Sequence, residues 1–176
     1  MTILLPVALS ALLVATVVSA QSKAPTPPQL EFAFEVRAKV AAPTVLGAVP
    51  GGTRRIVDVL GGTFEGPKVK GKIRPGGADW QIIRPDGFTE VDARYTLETD
   101  KGELIYVSNV GIRHAPPDVL AKLNAGELVD QSLVYFRTVP KMETSAPGLQ
   151  WLTRSLFICT AERYPDAVVI RSLSVL

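Results

Sequence analysis

The stretch Leu30-Glu31-Phe32-Ala33-Phe34-Glu35-Val36-Arg37-Ala38-Lys39-Val40 decides the fold class. Leu30, Phe32, Phe34, Val36, Ala38 and Val40 fall on one face. Glu31, Glu35, Arg37 and Lys39 fall on the other, with only Ala33 out of step. Side chains of a strand alternate between its two faces, so apolar residues at every second position mark a strand with one face buried. Residues 89–99 repeat the pattern: Val91, Ala93, Tyr95 and Leu97 face one way, and Glu90, Asp92, Arg94, Thr96 and Glu98 the other.

Further strands are expected at residues 54–60, 63–73, 78–84, 103–113, 133–139, 155–163 and 168–175. Turns separate them at Pro50-Gly51-Gly52, Gly61-Gly62, Pro75-Gly76-Gly77, Pro85-Asp86-Gly87, Asp100-Lys101-Gly102 and Tyr164-Pro165-Asp166. One short helix opens at Pro116-Pro117-Asp118 and ends at Asn124-Ala125-Gly126. Residues 149–153 read as a single helical turn. About nine strands at this spacing, without alternating strand–helix units, point to an all-β antiparallel barrel or sandwich and away from doubly wound or TIM folds.

The amino terminus has a different character. Residues 3–18 carry no charge and are apolar apart from Ser10 and Thr16. That length suits a signal peptide and is short for a membrane span, and Pro6 opposes a long regular helix. Ser19-Ala20 supplies small residues for cleavage after Ala20; the alternative is an uncleaved anchor. The expected organisation is a signal peptide at 1–20, a proline-rich linker at 21–28 and one β domain at 29–176. The expected location is secreted, with no stable membrane insertion after cleavage.

Bulk composition narrows the functional classes. Hydrophobic residues make up 47% and charged residues 20%, and the formal net charge is +2, dispersed along the chain. No basic run interleaved with aromatics marks a nucleic-acid surface. Cys159 is the only cysteine, which rules out an intramolecular disulfide, and no Cys/His cluster has zinc-ligand spacing. The glycines match neither a Walker loop nor a dinucleotide fingerprint, and no Gly-X-Ser-X-Gly elbow is present, so neither metal nor cofactor is expected.

Several polar residues stand out. Asp92 and Arg94 project from one strand face ~7 Å apart, where they can pair, orient a ligand or hold a proton; on an outer face they form an ordinary solvated contact. Asp79 beside Trp80 reads as acid and pocket wall, or as a core anchor. Arg137 shares a face with Leu133 and Val139 and needs a partner if buried, with Glu143 a candidate. His114, the lone histidine, precedes the helix, where a loop could put it at a pocket mouth; a lone histidine is more often incidental.

The segments Pro75-Gly76-Gly77-Ala78-Asp79-Trp80, Arg84-Pro85-Asp86-Gly87, Asp92-Ala93-Arg94-Tyr95, Tyr135-Phe136-Arg137-Thr138-Val139-Pro140, Glu143-Thr144 and Trp151-Leu152 resemble, in that order, domain-of-unknown-function family 3237. The resemblance covers residues 29–176. It implies a single antiparallel β-barrel of nine or ten strands with one short helix, often oligomeric. Some fungal members are polyketide-pathway cyclases that close an oxygen ring by adding a hydroxyl to an enone. Its matching polar positions are Asp79, Asp92, Arg94, Tyr95, Arg137 and Glu143. One expectation is therefore a cofactor-independent cyclase, lyase or isomerase acting on a phenolic or polyketide-like molecule. Asp92, Asp79 or Glu143 would be the base, Arg94 or Arg137 would stabilise an enolate, and Trp80, Tyr95 and Trp151 would hold the substrate. The alternatives are a small-molecule-binding barrel without turnover and a surface-acting protein with a filled lumen.

Overall fold

The computed structural model describes residues 25–176; the expected signal peptide lies outside the described residues. Residues 25–29 are exposed and belong to no strand. Ten strands follow: β1 (Leu30–Val40), β2 (Thr44–Val49), β3 (Gly52–Glu65), β4 (Lys70–Ile73), β5 (Gly77–Ile83), β6 (Thr89–Thr99), β7 (Leu104–His114), β8 (Tyr135–Glu143), β9 (Phe157–Arg163) and β10 (Ala167–Val175). Helix α1 (Pro117–Asn124) joins β7 to β8, and the single-turn α2 (Trp151–Arg154) joins β8 to β9. All pairings are antiparallel. The chain order β6-β7-β8-β9-β10-β1 continues through the β1–β3 pairing, and β4 and β5 lie end to end between β3 and β6. This closes an eight-stranded barrel with two extra strands, as the resemblance implied.

Two details differ from the reading by alternation. Leu30 and Phe32 were expected on the buried face, but they are 49% and 44% exposed. The pairing of β1 with β10 jumps from Phe32↔Leu173 to Phe34↔Ser172, so Ala33 is an extra residue and the faces exchange there. Gly61-Gly62 does not end a strand either: β3 runs through both. A Cβ on Gly62 would lie 2.1 Å from the Arg37 carbonyl oxygen, so β1 can approach this closely only beside a glycine. The break instead falls at Gly66-Pro67, splitting the expected 63–73 strand, and β2 was not foreseen. Leu133 belongs to a 3₁₀ turn rather than to a strand.

The barrel interior changes character from one end to the other. Near α2, Phe34 meets Phe64 edge-on at 6.2 Å and Phe157 at 6.5 Å, while Trp151 packs on Phe157 at 6.1 Å. Leu97, Ile105 and Leu152 complete this dry plug. Burying each large side chain there stabilises by about 1.5–3 kcal/mol. Toward α1 the inward positions become polar, and the space is no longer filled.

Candidate functional site

The unfilled part of the lumen holds about 50 Å³ open to the centre of a water-sized sphere. On that measure one water needs about 10–15 Å³, so a few waters or a small ligand group fit. The walls are apolar on the β1, β3 and β10 side, with Val40, Val57 and Ile170, and polar where β5, β7, β8 and β9 supply Asp79, Gln81, Asn109, Arg113, Thr138 and Arg163. The alternative of a filled lumen is therefore not met.

Alternation places each polar side chain. Asp79 and Gln81 are two apart on β5 and both point inward. The β5–β6 ladder pairs Asp79 with Ala93 and Ile82 with Glu90, and in the gap the Asp92 backbone N–H donates to Asp79 Oδ1 at 3.0 Å. The Gln81 amide donates to the other carboxylate oxygen, and Arg55 Nε donates to Gln81 Oε1 at 2.7 Å. Arg55 Nη1 also reaches Asn124 Oδ1 at 3.3 Å, tying the end of α1 to the barrel. On β7, Asn109 and Arg113 follow Ile105 and Val107 on the inward face.

Burial dominates the electrostatics. It raises the Asp79 pKa above the ordinary carboxylate value, against the opposing pull of Gln81, the Asp92 N–H, Arg113 and Arg55. It also lowers Arg113 to about 10, helped by the neighbouring charges of Arg55 and Arg163. Tyr95 is pushed up by burial, with Asn109 bonding to it in opposition. Asp79 forms no ion pair among the described residues, although both Arg55 and Arg113 act on it through space. A carboxyl group and a guanidinium thus face one small cavity without neutralising each other. Among the described residues, no three His, Cys, Asp or Glu side chains converge as metal ligands.

A family model described as a protein of unknown function (DUF3237) matches residues 28–175. The chain belongs to the DUF3237 family. A UPF0311 protein of Rhodopseudomonas palustris is 46% identical over 142 residues, covering 81% of this chain and 93% of the relative. The crystal structure of a conserved protein of unknown function from the same species superposes with a TM-score of 0.83 at 44% identity, covering 88% of this chain and all of that one. An enzyme from Penicillium herquei has a TM-score of 0.67 at 20% identity, covering 88% of this chain and 99% of that one; at that distance the likeness is one of fold.

Within this DUF3237 barrel, the residues expected to form one site are dispersed. Asp79 and Tyr95 line the lumen. Asp92 and Arg94 do not: they lie on the outer face of β6 and pair with each other at 3.2 Å. Their outward position follows from the same alternation that points Val91, Ala93 and Tyr95 inward. Arg137 is on the outer face of β8, its guanidinium over the Tyr135 ring at 5.0 Å, and Glu143 is exposed beside Lys141 at 3.7 Å. Trp80 is 38% exposed on the outside of β5. Trp151 packs in the aromatic plug and does not line the cavity. His114 is stacked between Phe88 and Tyr135 at 4.4 and 4.8 Å. Arg55, Gln81, Asn109, Arg113, Thr138 and Arg163 went unread. The available signal was parity: Asn109 and Arg113 share the face of Ile105 and Val107.

Proposed function

We propose that the lumen is the active site of a cofactor-independent cyclase, lyase or isomerase acting on a small phenolic or polyketide-like molecule. The observation that carries this reading is Asp79: an inward carboxylate with a raised pKa, facing two guanidiniums to which it is not paired. A raised pKa makes a carboxylate a stronger base, which suits a group that must both take and return a proton. In a ring closure of the oxa-Michael kind, Asp79 removes the hydroxyl proton as that oxygen bonds to the β-carbon of an enone. The carbon–carbon π pair moves toward the carbonyl, and the Arg113 guanidinium stabilises the enolate oxygen. Asp79 then returns the proton to the α-carbon, so no electron carrier is consumed. Tyr95 and Phe136 supply aromatic wall.

The test is closure of an ortho-hydroxyphenyl vinyl ketone to its chromanone. The full-length protein is expected to accelerate it over buffer, and Asp79→Asn to reduce the acceleration by about 10²-fold or more. Asp92→Asn and Arg94→Ala, both on the outer surface, should leave it unchanged. A second reading, a small-molecule-binding barrel without turnover, is favoured by the small volume of the lumen. Ligand retention with no acceleration by the wild type selects it.

The uncharged segment at 3–18 and Ser19-Ala20 support export with cleavage after Ala20; material recovered from the medium should begin at Gln21. Exposed apolar side chains on the outer barrel wall support self-association.

A further inference from the structure

The lumen carries more positive charge than its own carboxylate offsets. Arg113 and Arg163 line it, and Arg55 stands behind Gln81; among the described residues Asp79 is the one lining carboxylate. Three positive charges less one negative leave an excess of two when all four are ionised. Arg55 has partners in Gln81 and Asn124, and Arg163 donates to the Ala167 carbonyl at 3.1 Å. Arg113 is different. It is 2% exposed, and its Nε and Nη1 have no hydrogen-bond partner among the described residues. Its guanidinium lies 5.5 Å from the Phe136 ring, which attracts a cation but leaves those N–H groups unmet. The Asn109 Oδ1 and Thr138 Oγ1 atoms on the adjoining wall are also buried without partners.

A buried guanidinium with unmet donors is costly, and an anion is the partner that removes the cost. The walls are strands whose backbone N–H groups are engaged in the ladder, so side chains must do the recognising. One free guanidinium suits a monoanion with a planar head better than a phosphate dianion, which needs several donors. Opposite it, the wall is aliphatic.

We propose that the lumen binds a small organic carboxylate, its charged head on Arg113 and its apolar part against Val40, Val57 and Ile170. The inference rests on the lumen being the ligand site, as proposed above, and is independent of turnover.

The experiment compares benzoate with its neutral analogue benzamide, and with inorganic phosphate, by calorimetry and thermal shift on the full chain. Benzoate should bind at least tenfold more tightly than either and raise the melting temperature. Arg113→Met, which keeps the side chain long and removes the unpaired charge, should lose benzoate binding at least tenfold while melting no lower than the wild type. A purely structural role for Arg113 would lower the melting temperature instead. Arg163→Gln gives a second reading of the field, and should weaken benzoate but not benzamide. Benzamide or phosphate binding as tightly as benzoate would overturn the proposal, as would benzoate binding unaffected by both substitutions. Benzoate binding to a protein that does not accelerate the ring closure leaves this inference standing and removes the catalytic one. Ring closure without benzoate binding does the reverse.

Discussion

Asp79 shows how a single side chain links the sheet to the chemistry. Its carboxylate occupies the place of a ladder acceptor for the Asp92 N–H, which fixes its position, while the lumen around it raises its pKa. The folded protein therefore holds this proton to higher pH than the unfolded chain. Where the native state binds the extra proton, stability falls as pH rises. The penalty is absent below the unfolded carboxylate range and grows as pH climbs from there through the raised native value. Asp79→Asn removes that titration and keeps a side chain of similar shape. The urea-unfolding free energy of the variant, relative to wild type, is expected to be more favourable at pH 7 than at pH 3.5. An offset that stays constant between the two pH values would mean that burial does not control this carboxylate.

At the scale of the element, the close approach of β1 and β3 is the least tolerant feature. Gly62 sits at φ +133° opposite Ala38, with no room for a Cβ against the Arg37 carbonyl. Gly62→Ala should cost about 3 kcal/mol, combining backbone strain with displacement of β1. Gly148→Ala, with nothing within 4 Å of its added methyl, should be near neutral. Urea midpoints of the two variants check this. The same elements show what was legible in the sequence. Alternation revealed β1 and β6 because each has one charged face. It could not find the bulge at Ala33, because Leu30 and Phe32 are apolar whichever way they face. β7 hid the site for a related reason. Leu104, Tyr106, Val110 and Ile112 face outward with only Ser108 and His114 among them, so the strand has no charged face to set against Asn109 and Arg113. The charged residues most conspicuous in the sequence, Asp92 with Arg94 and Lys141 with Glu143, pair on the outside of the barrel. The inward arginines at 55 and 113 stood beside Arg54 and His114, where strand ends look solvated.

At the scale of the molecule, the apolar outer face of β7, β8 and β9 sets the next expectation. Val110, Ile112, Val139 and Ile158 are 48%, 38%, 53% and 40% exposed, and Val110 is paired directly opposite Val139 in the ladder. A stripe of neighbouring exposed aliphatics on a sheet face is unusual for a chain that stays alone. The Val110–Val139 pair is apolar, with the outward Arg137 beside it opposite Ile112, and a second copy turned by a two-fold axis can place the valines against themselves, which is how most homodimers close. Sedimentation should therefore find a species larger than one chain. Val110→Lys with Val139→Lys should convert it to a monomer, since two ammonium groups cannot be buried opposite their own copies without partners. The lumen lies on the inner side of the same strands, so benzoate affinity should survive the substitution. A wild type that sediments as a single chain at every concentration would show instead that the stripe meets another surface or none.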